Sequence, residues 1–523
     1  MVTLSLKEVI DMKKNLNLLD PELRILISKC ENQPKNEVLA VKLCYQLNIR
    51  SMHDLTVEYA NDAARYHSTS CDLEFERILA TCLNEHRELE KQAEIIESIL
   101  KDSPDSLPLK RNLALVYFYL EKDDLAYELL ADIEDEHLSD VDSRSFEVLA
   151  QIYHAREDFD KCLDLCDRAI DAPGPSARAV RLKGLCHLER LDYSSAKSCF
   201  LMALDFEPHF VWACHSLGEL LFEQGHFDEA FKYFGKAVYI NPLDPGNFFL
   251  LAEAFMDSDM DDLAIAELRK ILMLDIDNRI EAEVYNALGY LYMKQENYAK
   301  ARQYLKHSLL LVPKLAVAYY NLGRLAAKQS RYGAAEKHYK RALAIDDGQV
   351  GAWLELGFIN VHQKKKSPVI KKYFQNAIEL DPHDPEPWIG LSKYHRLIGD
   401  NDGQLKAAIT AYELQPDNGS ICNILGIAYE CCGMYEDAIE AYKEGLLQDP
   451  MNRKAANNLG YLYEKNMEEE PEKEAYWKAL AIEAWCKRYI ICSKMGKSIA
   501  GATNHLLNLG LSNKEIKDLK EEP

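Results

Sequence analysis

Long apolar runs, paired cysteines and catalytic signatures are all missing from this chain. No stretch of about 18 apolar residues occurs, which excludes a membrane-spanning helix. The 14 Cys include no Cys-x-x-Cys pair, and none falls between Cys214 and Cys422, so neither a disulfide framework nor a zinc site is expected. Free thiols in that number point to a reducing compartment. Residues Met1 to Glu8 lack the basic and apolar regions of a secretory signal. The expectation is a soluble, cytoplasmic protein. Basic charge is short as well: 62 Lys and Arg face 85 Asp and Glu, leaving −23. Such a surface repels phosphate backbones and anionic headgroups, so neither nucleic-acid binding nor membrane insertion is expected. One basic cluster interrupts it, Lys364, Lys365, Lys366, Lys371 and Lys372, and reads as a solvated turn and helix end.

Known chemistry is absent by motif. Met495-Gly496-Lys497-Ser498 lacks the upstream glycine and strand of a phosphate-binding loop. No Gly-x-Ser-x-Gly elbow and no His-Glu-x-x-His helix is present. Cys162 and Cys166 stand four apart, but on positions that a packing stripe claims, and read as buried structural thiols. Cys431-Cys432 precedes Gly433 at a helix end, where a redox role is the less supported alternative. The 15 His form no cluster. No catalytic residue, metal or cofactor is expected, and the chain does not read as an enzyme.

What the sequence has is periodicity. Leu217-Gly218, Leu221, Ala230, Phe234, Ala237 and Pro242 recur as Leu288-Gly289, Tyr292, Ala301, Leu305, Ser308 and Pro313. They return as Leu425-Gly426, Tyr429, Ala438, Tyr442 and Pro450, with a spacing of 34 residues. Twelve units follow, starting near 73, 107, 143, 177, 211, 245, 282, 316, 350, 385, 419 and 453. The eighth place of each is Ala, Gly or Ser. Places 4, 7, 8 and 11 share one stripe of a first helix, and places 20, 24 and 27 the matching stripe of a second. Small residues at 8, 20 and 27 let two backbones approach, and bulky ones at the other places fill the space between them. Gly225, Gly399 and Gly433 suit a turn with positive φ, and Pro104, Pro208, Pro242, Pro313, Pro382, Pro416 and Pro450 stop second helices.

These residues resemble the tetratricopeptide repeat pattern. The resemblance implies an all-α fold, an α-α superhelical solenoid of about twelve helix-pair repeats with helical caps. Residues 1–72 read as an N-terminal cap or degenerate repeats, in short helices broken at Asp20-Pro21 and Gln33-Pro34. Residues 73–485 carry the repeats. Residues 486–523 form a capping helix and a loose polar tail from Lys514 on, because a terminal repeat otherwise leaves an apolar face open.

Places 2, 5, 9 and 12 of the first helices form a second stripe, turned by about 100°. By the family resemblance this stripe lines an inner groove. It contains Trp212, His215, Phe222, Phe249, Met256, Asn286, Tyr290, Met293, Tyr320, Arg324, Leu354, Phe358 and Val361. Glu219, Glu253, Asp257 and Glu283 precede Lys294, Arg324 and Lys328, an asymmetry that would orient an extended peptide. Two known binding modes of the family fit poorly. No three consecutive units carry the Lys, Asn and Arg set that clamps chaperone tails. Of the asparagine ladder at place 6 only Asn112, Asn321 and Asn458 remain. The expected function is a scaffold or adaptor that presents this groove to a protein or peptide partner. The alternatives are a self-associating structural subunit of a large multiprotein assembly, which makes the chain a homo-oligomer, and an accessory arm to an enzyme on a separate chain.

Overall fold

The computed structural model describes residues 21–66, 71–84, 89–134, 141–172, 176–274 and 276–519. The start of the chain, the junction before Pro21 and the last four residues lie outside that set, so the expectations for them have no structural counterpart. Among the described residues there is no β-strand, and helices follow one another as hairpins. First helices run Cys71–Asn84, Leu107–Tyr119, Ser143–Ala155, Ala177–Glu189, Val211–Glu223, Pro245–Asp257, Asn278–Lys294, Ala316–Lys328, Val350–His362, Glu386–Ile398, Gly419–Cys431 and Arg453–Glu469. These are the twelve starts read from the sequence, with offsets of a few residues at the two units near 73 and 282.

Local chemistry sets the helix ends. The side chains of Asp142, Asp158, Asp192, Asp244, Asn297, Asp400, Asn418 and Asn452 each accept a hydrogen bond from a backbone N–H of the helix they precede. Pro208, Pro242, Pro313, Pro382, Pro416 and Pro450 each follow the end of a second helix, where the missing N–H no longer matters. Between the helices of a pair, the residue at place 15 takes a left-handed conformation: φ is 76° at Gly225, 80° at Gly399 and 77° at Gly433. Glu121, Glu157, Leu191, Asp259, Glu296, Ser330 and Lys364 occupy the same place with φ of 55° to 61°. The turn geometry therefore belongs to the repeat, and glycine only relieves its steric cost.

The pairs are held by one recurring contact. Where place 8 is glycine, as in the units starting at 211, 282 and 419, it lies under the side chain of place 24. A Cβ on Gly218 would stand 2.6 Å from Phe234 Cε1, one on Gly289 2.7 Å from Leu305 Cγ, and one on Gly426 2.5 Å from Tyr442 Cε1. Ala196, Ala203, Ala230, Ala237, Ala301, Ser308, Ala335, Ala342 and Ala438, at places 20 and 27, are fully buried. The chain divides into two compact units, one ending at Val284 and one starting at Tyr285. Each has its own core, with Phe146, Phe200 and Leu217 in the first and Leu356, Tyr442 and Trp485 in the second.

The ends differ from the sequence reading in detail. Helices Glu37–Ile49 and His53–Ala63 pack as a further hairpin, with Ser51 in the left-handed turn at φ 57°. Ser51 is at place 15 of a unit that starts at 37, so the repeat geometry begins before residue 73. Cys44 stands at its place 8 and Ala60 at its place 24, too small a pair to show the pattern in the sequence. At the other end, helix Glu474–Lys494 serves as the second helix of the last pair and crosses the boundary drawn at 485. The first helix runs on to Glu469 and a short turn Pro471–Lys473 follows, which shifts the count, so Trp485 takes the role that place 24 has elsewhere, its ring 2.7 Å from where a Cβ on Gly460 would be. Helix Ala500–Asn508 covers it, with His505 stacked on Trp485 at 4.0 Å. The polar tail expected from Lys514 is in part helix, Asn513–Asp518. Ser512 and Glu515 form a capping box there, and Ile516 is buried against the last core, an anchor too short to show in the apolar pattern.

Candidate functional site

In the second unit the predicted stripe forms a chain of contacts. Asn321 donates to Asn286 Oδ1 at 2.9 Å. The Arg324 guanidinium lies over the Tyr290 ring at 5.3 Å and the Tyr320 ring at 5.8 Å. Cation–π attraction of this kind links the three side chains. Leu354 and Phe358 follow, and Lys393 lies over the Phe358 ring at 5.1 Å. Burial pushes the Glu355 carboxyl up, against the pull of Arg324. Asn286, Tyr290, Tyr320, Arg324, Leu354, Phe358 and Val361 are half-buried. Met293 is not: it is 1% exposed and belongs to the core. Phe358 also meets the buried Phe374 edge-on at 5.3 Å, so it serves packing as well as surface.

In the first unit Trp212, Phe222, Phe249 and Met256 are half-buried. His215 is buried: it packs edge-on against Trp212 at 5.6 Å, and its Nε2 lies 2.8 Å from Asn247 Oδ1. Burial pulls its pKa down to about 4, so the ring is uncharged at neutral pH. Phe222 packs on Phe227 at 5.0 Å, and Arg181 donates to the Trp212 carbonyl at 3.2 Å and to Ser216 Oγ at 3.0 Å.

The sequence reading did not single out a second constellation in this unit. Glu76 is fully buried and accepts from Arg178 at 2.8 Å, from Arg144 at 3.3 Å and from Asn48 at 2.7 Å. Burial pushes its carboxyl up, but Arg178 and Arg144 outweigh that and hold it below the usual carboxylate range. Arg111, 1% exposed, pairs with Asp142 at 3.2 Å and Asp72 at 3.3 Å, and lies over the Phe75 ring at 4.8 Å. Arg144, Arg178, Asp72 and Asp142 also border a cavity of about 720 Å³ that helix Glu37–Ile49 closes on one side.

That helix reaches far along the chain. Tyr45 lies 5.0 Å from the Arg178 guanidinium, and Gln46 donates to Glu207 Oε2 at 3.2 Å. Ile49 is buried in the same cluster as Ala177, Val180 and Val211, and Asn241 donates to the Ser51 carbonyl at 3.4 Å. A helix thus lies across the starts of first helices more than a hundred residues later. The only sequence signal for this was unplaced polarity, since Arg144 and Arg178 both stand at place 2, on the stripe read for binding.

The thiols are unremarkable as chemistry. Cys162, Cys166 and Cys186 are fully buried, with Cys186 Sγ 2.9 Å from Cys162 Sγ. Burial pushes the Cys432 thiol up, against a role as a reactive thiolate. Among the described residues no group of three or more His, Cys, Asp and Glu is placed to hold a metal, and no helix is long and apolar enough to cross a membrane.

Comparison with known proteins follows the same spacing. Tetratricopeptide repeat profiles match residues 211–244, 280–347 and 421–454. Among curated proteins, the small glutamine-rich tetratricopeptide repeat-containing protein 2 of Mycosarcoma maydis is 33% identical over 79 residues, 15% of this chain and 22% of that protein. The anaphase-promoting complex subunit CDC16 of Saccharomyces cerevisiae is 30% identical over 125 residues, 23% of this chain and 14% of that one. The BBSome complex member BBS4 of Bos taurus is 36% identical over 80 residues, 15% of each. The matched region thus spans less than a quarter of each relative. Among solved structures, the Cut9–Hcn1 hetero-tetramer of the anaphase-promoting complex aligns over 91% of this chain and 97% of that one, at 15% identity and a TM-score of 0.41. The 34-residue spacing, the place-8 to place-24 contact and the matched segments make this chain a tetratricopeptide-repeat protein.

Proposed function

We propose that the chain is a protein-binding scaffold whose first-helix faces hold a helix or an extended segment of another protein. The docked helix Glu37–Ile49 carries the reading. Tyr45, Gln46 and Ile49 engage Arg178, Glu207 and the Val180–Val211 cluster by stacking, a polar bond and apolar burial together. A surface that takes one helix this way has the chemistry to take another. The half-buried Tyr290, Tyr320 and Arg324 cluster offers a second such surface, within its own unit: aromatic rings and a guanidinium are the groups that dominate protein interfaces. The net charge of −23 argues against nucleic acid as the partner. The described cysteines are free thiols, which favours the cytoplasm as the place of action.

The test is quantitative affinity purification with the wild type beside a Tyr290→Ala, Arg324→Gln variant. Both side chains are half-buried, so helicity by circular dichroism should be unchanged. The reading requires specific partners to fall at least tenfold in the variant. Equal recovery of the same partners removes it.

A second reading, a structural subunit of a multiprotein assembly that self-associates, is favoured by the relatives' names, since CDC16 and BBS4 are both described as members of complexes. It requires the mass by light scattering to double with concentration. A constant monomer mass from nanomolar to tens of micromolar concentration contradicts self-association.

A further inference from the structure

Near the end of the second unit the stripe of places 2, 5 and 9 changes character. Helices Gly419–Cys431, Arg453–Glu469 and Glu474–Lys494 enclose a cavity of about 330 Å³. It is lined by Arg453, Lys454 and Arg488 and by the amides of Asn423, Asn457 and Asn458, and no carboxylate lines it. Among the described residues none of these three cations has an ion pair. In a chain of net charge −23, where most other arginines near a cavity are paired, three unneutralised cations around one hollow are a departure that packing does not account for.

Their placement goes against local preference. Arg453 and Lys454 are the first two residues of a 17-residue helix, where the positive end of the macrodipole disfavours cations. Arg488 comes from the last repeat's long helix and is held in place. Its guanidinium lies over the Trp485 ring at 5.2 Å, and a Cβ on Gly501 would stand 2.9 Å from its Nη1. Its Nε is buried with no hydrogen-bond partner. The amides form a chain: Asn457 donates to Asn458 Oδ1 at 3.5 Å, and Asn458 donates to Asn423 Oδ1 at 3.0 Å. The amide nitrogen of Asn423 stays outside that chain, with its protons available.

We propose that this cavity binds a phosphate group carried on the side chain of a partner protein segment, a phosphoserine or phosphothreonine. This deepens the scaffold reading and rests on it. Three unpaired positive charges suit a group that carries nearly two negative charges and three acceptor oxygens better than they suit one carboxylate. Arg488 offers a planar fork for two of the oxygens, and Lys454 a point charge. The cavity exceeds what a bare phosphate fills, which leaves room for the residue that bears it. The amide row beside it can donate to and accept from an extended backbone.

The test uses the full chain and three fluorescent nonapeptide libraries, alike except for phosphoserine, serine or glutamate at the central position. The expected result is binding of the phosphoserine library at least tenfold tighter than either of the others, with competition by millimolar inorganic phosphate. Lys454→Gln and Arg488→Gln should each lose at least fivefold, and Lys364→Gln, in a distant turn, nothing. Arg488 stacks on Trp485, so its variant is read with circular dichroism; Lys454 is exposed and gives the same reading without that concern. Equal binding of the phosphoserine and serine libraries overturns the proposal. So does equal binding of the glutamate library, which assigns the cavity to a carboxylate, or an unchanged affinity in both variants. The scaffold reading fails separately, through the Tyr290 and Arg324 variant.

Discussion

Gly218 lies directly beneath the Phe234 ring, so close that a single added carbon would stand 2.6 Å from Cε1. The same relation joins Gly426 to Tyr442 and Gly289 to Leu305. It explains why the eighth place of the repeat tolerates only small residues, and it predicts that Gly218→Ala and Gly426→Ala destabilise. Alanine has the better helix propensity by about 1 kcal/mol. Overpacking a rigid ring should cost about 1–3 kcal/mol and outweigh that gain. Urea denaturation should show a lower midpoint for both. A higher midpoint would mean that the ring yields freely and the contact is not what sets the spacing.

Glu76 predicts the opposite kind of defect, an orphaned charge. Glu76→Gln leaves Arg144 and Arg178 without their buried counter-charge, and breaking such a pair costs about 3–5 kcal/mol. The loss should appear in the unit that ends at Val284, read by hydrogen exchange, with the second unit's exchange unchanged. The pH dependence has a definite sign. Glu76 is held below the usual carboxylate range, so it contributes stability above the ordinary pKa and loses it as pH falls through the folded value. The wild type should weaken in acid more than Glu76→Gln does.

Two histidines add to the acid sensitivity over a higher window. Burial lowers both His53 and His215 to about 4, so each is neutral in the folded chain. The unfolded chain protonates them below about 6.5, and stability is therefore present above that pH and lost as it falls toward 4. The full effect of one such site is on the order of 3 kcal/mol. His215→Gln should flatten the fall in melting temperature between pH 6.5 and 4. A variant that melts with the wild type's pH slope would place the dependence elsewhere.

How much of this was legible in the sequence follows from what the period encodes. Places 8, 20, 24 and 27 recur because every pair of helices needs the same close approach, so twelve helix starts could be read from small residues alone. The hairpin at 37–63 was legible only as a cap or degenerate repeats, because Cys44 and Ala60 put two small residues where the pattern calls for one small and one large. The Asn513–Asp518 helix escaped because a single buried Ile516 gives no periodicity. For the candidate surfaces, the stripe of places 2, 5, 9 and 12 named residues that are half-buried in eleven of thirteen positions; His215 and Met293 instead face inward. The Glu76 network and the Arg453, Lys454 and Arg488 cavity were not legible. Their partners are far apart in sequence or on different helices, and no repeat period links them.

Site-specific photo-crosslinking in cells measures the binding claim most directly. A benzophenone amino acid at Tyr290, on the first-helix stripe, is set against one at Lys337, on the exposed side of a second helix. The account predicts discrete protein adducts from position 290 and none of the same species from position 337. The same adducts from both positions, or from position 337 alone, would contradict it.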